Sequence, residues 1–296
     1  MTLVSSPRKL SVLLAALMGT TLGVHAHAEP SFNASVGAEA DDSGASIADV
    51  DLRWSPTDRF GLSFAAGHAS GADDFGGDFS STTLFAGMDW RFTRLAGVAL
   101  GYDSWDDADA YDKRTAHATL YVGSERARFG VIAQSVESET TAELGLLRRQ
   151  VSIGFDGTGY GAEVSLSGNH MSAWASYLTY DYDENVDRLV TFLATPNLAR
   201  RPRFDALLGS GLTAAAALLD YSAVVGMDFY VRRARIGVSY SSLRDIVTDS
   251  DASSLRGEVE WPLGSRWSAR LIGGVTDSDI ESSGLFGGAR LLYHSR

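Results

Sequence analysis

The chain has 296 residues, of which 45% are hydrophobic, 21% charged and 10% aromatic. That balance excludes a disordered polymer and a small disulfide-held scaffold, and the absence of cysteine excludes thiolate metal sites and cysteine nucleophiles. A formal charge of −12 argues against nucleic acid as a partner, because phosphate contacts need surplus cations.

The first residues read as a secretory signal. Arg8 and Lys9 form a positive n-region, residues 10–24 an apolar stretch, and Ala26-His27-Ala28 a cleavage site before Glu29. The apolar run is too short to span about 30 Å of hydrocarbon as a helix. The expected organisation is a signal peptide over 1–28, cleaved after Ala28, and one exported domain over 29–296. Within that domain the longest apolar run, 206–219, is closed off by Asp205 and Asp220 and is again too short for a spanning helix. The domain keeps a single lysine, Lys113.

From there the dominant signal is a period of two, the mark of strands with two unlike faces. In chain order the alternation predicts strands over 31–38, 48–54, 60–66, 84–90, 98–102, 114–123, 128–136, 148–156, 160–166 and 171–181. It then predicts strands over 219–231, 235–241, 255–261, 267–275 and 284–293. Leu219, Tyr221, Ala223, Val225, Met227, Phe229 and Val231 show the apolar face; Asp220, Ser222, Gly226 and Asp228 lie on the other. These are fifteen segments. Residues 186–194 supply one more strand, followed by a loop over 195–211, for a count of about 16. If that stretch is no strand and a weak pair merges, the count is about 14.

The connections alternate between short turns (55–58, 93–95, 125–127, 232–234, 264–266) and long polar loops (68–79, 106–113, 137–147, 244–253, 276–283). Trp54, Phe60, Trp90, Phe92, Phe129, Phe155, Tyr160, Phe229, Trp261, Trp267 and Tyr293 fall near the short turns or the chain end. On a closed barrel they would form one ring, the aromatic girdle of a membrane interface. A soluble exported sandwich or barrel would also alternate. It would, however, place its aromatics in mid-strand and fill its core with more than alanine and glycine.

In this pattern the chain resembles the outer-membrane β-barrel proteins of Gram-negative bacteria and looks porin-like. The resemblance covers 29–296 and rests on pattern, with no motif of one named family. It implies an all-β, antiparallel, up-and-down transmembrane barrel, with outer-membrane lipid, lipopolysaccharide, the barrel assembly machinery and small solutes as partners. A homo-oligomer is an open alternative, since alanine- and glycine-rich faces can meet a second subunit or lipid. Such barrels usually end on an aromatic residue; here Tyr293 is followed by His294-Ser295-Arg296.

The polar strand faces put Asp49, Asp51, Arg53, Asp89, Arg91, Asp103, Glu163, Asp228, Arg235, Arg256, Glu258, Glu260, Arg270 and Arg290 in one lumen. There they either set ion preference through a transverse field or stiffen the wall as ion pairs. Arg200, Arg201 and Arg203 form a basic cluster in the 195–211 loop. It would line a constriction if folded inward, or meet lipopolysaccharide if not. The remaining outer connections are acidic: Glu39, Asp41, Asp42, Asp73, Asp74, Asp78, Asp106, Asp107, Asp109, Asp112, Asp249, Asp251, Asp277, Asp279 and Glu281. Such carboxylates hold counter-ions loosely or bind calcium or magnesium, though no stretch has EF-hand spacing. His117 reads as a lumen residue, and His68 and His170 as lying near the outer loops. A Ser/His pairing there (Ser70 or Ser167) is what a rim hydrolase would need. The reading taken is a passive, cation-preferring pore that needs no cofactor and is no enzyme. A blocked structural, adhesive or assembly barrel and an outer-membrane hydrolase are the alternatives.

Overall fold

The computed structural model describes residues 30–42, 44–72, 78–107, 111–124, 126–144, 149–183, 218–246, 250–279 and 283–295. These residues form fourteen strands in one closed antiparallel sheet. They are β1 (Ser31–Asp41), β2 (Ser46–Thr57), β3 (Phe60–Ala72), β4 (Asp78–Arg91), β5 (Ala96–Asp107), β6 (Tyr111–Gly123), β7 (Ala127–Leu144), β8 (Arg149–Ser167), β9 (Met171–Tyr182), β10 (Leu219–Val231), β11 (Ala234–Asp245), β12 (Ser250–Pro262), β13 (Trp267–Ser278) and β14 (Gly284–His294). Each strand pairs with its sequence neighbours, and β14 pairs with β1 from Asn33↔His294 to Asp41↔Phe286. The seam is stitched further by Ser295 N donating to Phe32 O at 2.8 Å and Phe32 N to Ser295 Oγ at 2.6 Å. Among the described residues no helix is long and apolar enough to cross a membrane; strands are the crossing elements here.

The count is the lower of the two expected, because 148–156 and 160–166 are one strand. Gly157-Thr158-Gly159 reads as a turn, yet it continues β8 without a break. Gly157, Gly159 and Gly161 are successive inward positions, and side chains of β9 lie over them. A Cβ on Gly157 would sit 2.4 Å from Tyr182 Cδ1, and one on Gly161 2.9 Å from Leu178 Cγ. These glycines mark close packing of a neighbour. The strand proposed over 186–194 and Arg200, Arg201 and Arg203 lie outside the described residues. The wall closes on either side of them, since β9 and β10 pair directly from Met171↔Phe229 to Thr179↔Tyr221.

The expected long loops are mostly strand. β3 runs to Ala72 and β4 starts at Asp78; β7 runs to Leu144 and β8 starts at Arg149. The apolar outward run has ended there, with His68 and Ser70 outward on β3 and Glu137 and Glu139 outward on β7, so the alternation loses its hydrophobic signature. The short connections after β2, β4, β6, β8, β10 and β12 lie at one end of the barrel, with Ser31 of β1 and His294 of β14. We call the opposite end the loop end.

The outward positions explain the fold. On every strand four or five successive outward residues carry no charge. Examples are Ala34, Val36 and Ala38; Val50, Leu52 and Trp54; Ala116, Ala118 and Leu120; and Val225, Met227 and Phe229. They are exposed: Val36 55%, Leu120 59%, Val131 55%, Leu285 61%. Five alternating outward residues cover about 23 Å of depth at a tilt of about 40°, close to the apolar band of a membrane barrel. Beyond them the outside turns polar, with Glu137, Glu139, Asp156, Asp181, Arg244, Asp251 and Asp277. An all-round exposed hydrophobic belt has no stable existence in water, so this is a transmembrane barrel.

Two aromatic rings bound the belt. At the short-turn end, Phe32↔Trp54, Phe60↔Trp90 and Trp267↔Tyr293 are cross-strand pairs, and Phe129, Phe229 and Trp261 sit within a few residues of a turn. Trp267 and Tyr293 meet edge to face at 5.0 Å, and Trp90 and Phe92 at 5.9 Å. Phe32 joins this ring although its position had not marked it. Phe155 and Tyr160 leave it, because β8 runs on without a break between the expected strands 148–156 and 160–166. Phe155 points inward and is 2% exposed, whereas Tyr160 points outward at 58%. Tyr160 belongs to a second ring, made of tyrosine alone: Tyr102, Tyr160, Tyr177, Tyr221 and Tyr240. Tyr177 and Tyr221 stack at 6.3 Å. Tyrosine suits that height, with its ring in the apolar layer and its hydroxyl in the headgroups.

Leu120→Arg, in the middle of the belt, should lower the unfolding free energy in lipid vesicles by about 2–4 kcal/mol, while the outward Glu137→Arg should change it by less than about 1 kcal/mol. Urea titration of tryptophan fluorescence measures both; equal losses would mean the belt does not face lipid.

Candidate functional site: the barrel lumen

Because side chains alternate, the residue after each belt position points into the barrel. All fourteen candidate lumen residues lie on this inner face. Arg53 and Arg91 are placed there by alternation, and the others also by their inner-face contacts.

The charges are concentrated on the wall that contains the β14–β1 seam. Arg256 on β12 donates to Glu39 on β1, Nη1 to Oε2 at 3.2 Å and Nη2 to Oε1 at 3.0 Å. The pair lies flat across β13 and β14. Gly288 leaves the room for it, since a Cβ there would come within 2.5 Å of Glu39 Cγ. Glu39 was expected in an outer connection; it is an inner-wall residue, 7% exposed. Arg290 on β14 reaches across the seam in the same sense, over Gly37 of β1, to Asp49 and Asp51 on β2 and to Ser35 Oγ at 3.0 Å. Arg235 lies 2.8 Å from both Asp228 Oδ1 and Glu258 Oε1, and 3.5 Å from Glu260 Oε2. Arg270 contacts Glu260 at 2.7 Å and Glu258 at 3.7 Å. Four arginines therefore face six carboxylates over seven adjacent strands, β10 to β14 and on to β1 and β2.

The opposite wall is less charged and more aromatic. His117 stacks on Phe85 at 5.9 Å and its Nδ1 lies 3.7 Å from Asp103 Oδ1. It rests over Gly101, where a Cβ would fall 2.1 Å from Nε2. Tyr121 donates its hydroxyl to Asp89 at 3.1 Å and carries Arg128 over its ring at 4.8 Å. Arg128 also pairs with Glu163 at 3.5 Å. Tyr180 donates to Gln134 Oε1 at 2.9 Å.

Toward the loop end the inner face changes character. Trp105, Val136, Phe155 and Leu219 are at most 2% exposed, and Lys113 is 3% exposed. Phe155 meets Tyr182 edge to face at 6.3 Å, and Tyr182 stacks on Tyr180 at 6.2 Å. Leu219 and Leu243 form an apolar cluster with Tyr180 and Ala252. The sequence reading missed this zone. Lys113 was legible in principle: it is in phase with the inward Thr115 and His117, but the expected strand begins only at 114, whereas β6 begins at Tyr111.

The histidines separate. His68 is on the outward face of β3, paired with Ala48 and Thr82. His170 lies in the 168–170 connection, at the short-turn end and not near the outer loops, because β8 is one strand rather than two. Ser70 with His68, and Ser167 with His170, therefore sit at opposite ends of the barrel. Among the described residues no three His, Asp or Glu side chains are grouped to hold a metal ion.

No family model and no curated protein matches the chain. Solved structures similar to it include the OccK3 protein of Pseudomonas aeruginosa, 11% identical over 90% of this chain and 95% of that one, with a TM-score of 0.42. The CymD monoaromatic hydrocarbon channel is 7% identical over 90% and 88%, with a TM-score of 0.49. The KdgM porin in complex with oligogalacturonate is 8% identical over 89% and 99%, with a TM-score of 0.43.

Arg290→Ala should lower stability by about 1–3 kcal/mol, because it strands Asp49 and Asp51 without their shared donor. The triple change with Asp49→Asn and Asp51→Asn should recover part of that loss. Urea midpoints of the three variants in vesicles check it; no recovery would show that the arginine acts by packing alone.

Proposed function

We propose that the protein is a passive channel of the Gram-negative outer membrane for small hydrophilic solutes and ions, with a preference for cations. One observation carries this reading: a single closed wall has an uncharged apolar belt outside and a band of charge inside at the same depth. Charges placed at membrane depth are costly unless they line a wet cavity. The inner wall supplies both ion pairs and an aqueous path for them. Carboxylates outnumber cations on the described inner face, so its mean field is negative and draws cations in.

The same reading makes membrane lipid the partner of the belt and lipopolysaccharide that of the polar outward surface at the loop end. Insertion would fall to the barrel assembly machinery. The export signal over 1–28 fits this route but lies outside the described residues.

A second reading has its own support. The nearly complete burial of Trp105, Val136, Phe155 and Leu219 is unlike the wet wall of a wide pore, and favours a barrel obstructed at its loop end with a structural role.

Single-channel recording of the refolded protein in a planar bilayer under a potassium chloride gradient separates the two. Discrete steps with a cation-selective reversal potential are expected. The paired change Glu258→Gln with Glu260→Gln should cut the cation-to-anion permeability ratio by about 3-fold or more, because it leaves Arg235 and Arg270 uncompensated. Silence from a barrel shown folded by heat-modifiable gel mobility would rule out the channel and leave the obstructed barrel.

A further inference from the structure

The short-turn end is basic in a chain whose formal charge is −12. Six connections close the strand pairs there: 58–59, 92–95, 124–126, 168–170, 232–233 and 263–266. Five of them bear arginine, as Arg59, Arg94, Arg126, Arg232 with Arg233, and Arg266; the sixth bears His170. The carboxylates in the same connections are Asp58 and Glu125 alone. All six arginines are exposed, and among the described residues none of them pairs with a carboxylate.

The turns lie against the rim. Arg59 O accepts from Arg91 N at 2.7 Å, Arg126 O from Ser167 N at 2.8 Å and Arg266 O from His294 N at 2.8 Å. Three of the turns are therefore tied to an adjoining strand and do not stand out from the wall. Arg232 has a φ of 56° and is the only residue other than glycine with a positive φ among the described residues. The first place of a two-residue hairpin turn with positive φ suits glycine. Backbone preference therefore does not account for an arginine there.

The girdle fixes the depth of these charges. Each arginine stands one to four residues from a girdle aromatic: Arg59 from Phe60, Arg94 from Phe92, Arg126 from Phe129, Arg232 and Arg233 from Phe229, and Arg266 from Trp267. The girdle marks the border of the hydrocarbon. At a rise of about 2.5 Å per residue along the axis, from about 3.3 Å at a tilt of about 40°, the arginine Cα atoms lie within about 10 Å beyond that border. The headgroup layer on each side is about 5–8 Å thick, so a guanidinium on its flexible stem reaches it from all five turns.

We propose that the short-turn end is a binding surface for anionic phospholipid: the six arginines hold headgroup phosphates of one leaflet around the rim and fix the depth and direction of the barrel. Guanidinium offers phosphate a planar fork of donors, and all six cations are arginine, with no lysine among them. Cations at a membrane border gather anionic lipid. The loop end is the reverse, with Glu137, Glu139, Asp156 and Asp181 outward beyond the belt. Turns this short cannot carry their charges past the headgroups, so a polymer or protein beyond the membrane fits them less well. The surface rests on the transmembrane belt; only the assignment of its leaflet to the periplasmic side rests on the outer-membrane reading.

The barrel carries its own reporters. Trp54, Trp90, Trp261 and Trp267 face outward at the short-turn end, whereas Trp105 and Trp174 point inward. In vesicles of phosphatidylcholine and phosphatidylglycerol, brominating one lipid or the other compares, by quenching, their contact with the four outward indoles. The refolded full barrel should favour phosphatidylglycerol about 2-fold or more at low salt, and the preference should shrink toward none in about 1 M potassium chloride, where charges are screened within about 3 Å. Arg59→Gln, Arg94→Gln, Arg126→Gln, Arg232→Gln, Arg233→Gln and Arg266→Gln together should abolish it. Arg232→Gly with Arg233→Ser is the milder variant should the sixfold change prevent refolding. It suits the turn, and it should lower the preference in part while folding as well as the parent.

No preference in the parent, or the parent's preference in both variants, would overturn the proposal. Parent protein that shows no preference, yet sediments with isolated cell-wall sacculi where the sixfold variant does not, would overturn it in favour of the wall polymer. Quenching by neither lipid, in a barrel of native heat-modifiable mobility, would sink the lipid-facing belt as well. An electrically silent barrel with the expected preference would keep the surface and sink only the channel reading.

Discussion

The structure depends first on the backbone amide. In hydrocarbon an unpaired N–H or C=O costs several kcal/mol, so a sheet that crosses a membrane must have no edge. Closure of β1 on β14 removes the last two edges. It is also the least local step, joining residues about 260 positions apart, such as Asn33 and His294. The chain reinforces this place with side chains as well as backbone. Ser295 and Phe32 exchange hydrogen bonds, and His294 contacts both Asn33 and Ser268. Arg256 of β12 and Arg290 of β14 then both throw ion pairs over the seam, to β1 and β2. The charged wall of the lumen is thus also the wall that closes the ring. Any field set at the inner face and the closure of the ring would draw on the same residues, so the two roles weighed for them do not compete.

Glycine solves a spatial problem on the inner face. Inward side chains on neighbouring strands are too close to stand upright everywhere without filling the lumen. Where one strand offers glycine, the neighbour's long side chain lies down over it. Tyr182 and Tyr180 do so on β8, His117 over Gly101, Trp174 over Gly226, and Glu39 over Gly288. Flattened side chains make sideways contacts that upright ones cannot. An alanine at any of these sites would collide with the side chain lying over it. At these positions glycine serves the packing of the inner face rather than a turn.

What was legible in the sequence follows from what repeats. A period of two survives in any strand with unlike faces, so the fold class, the apolar belt and the inward charges could be read directly. So could the tryptophan and phenylalanine ring, because the short turns that anchor it are tight and obvious. Three things were not legible. Gly157-Thr158-Gly159 has the composition of a turn, and only the tyrosines of β9 above it show that it is packed strand. On the extensions of β3 and β7 the outward positions turn polar, with His68, Ser70, Glu137 and Glu139, so alternation there has little apolar face to contrast. The tyrosine ring was hidden because its members are anchored to no turn; they align only once register is known.

The ion pairs of the seam wall are largely withdrawn from solvent: Arg290 and Asp49 keep 16% and 14% of their side-chain surface, and Arg256 and Glu39 19% and 6%. Toward the loop end Trp105, Val136, Phe155, Leu219 and Lys113 are almost fully buried. Water screens poorly at both places, and a charge that loses its partner there is costly. The pairs of the seam wall are therefore not loose surface charge. Removing one member strands the other in a poorly solvated place, whereas removing both members together costs less, so the charged wall holds its shape only as a set.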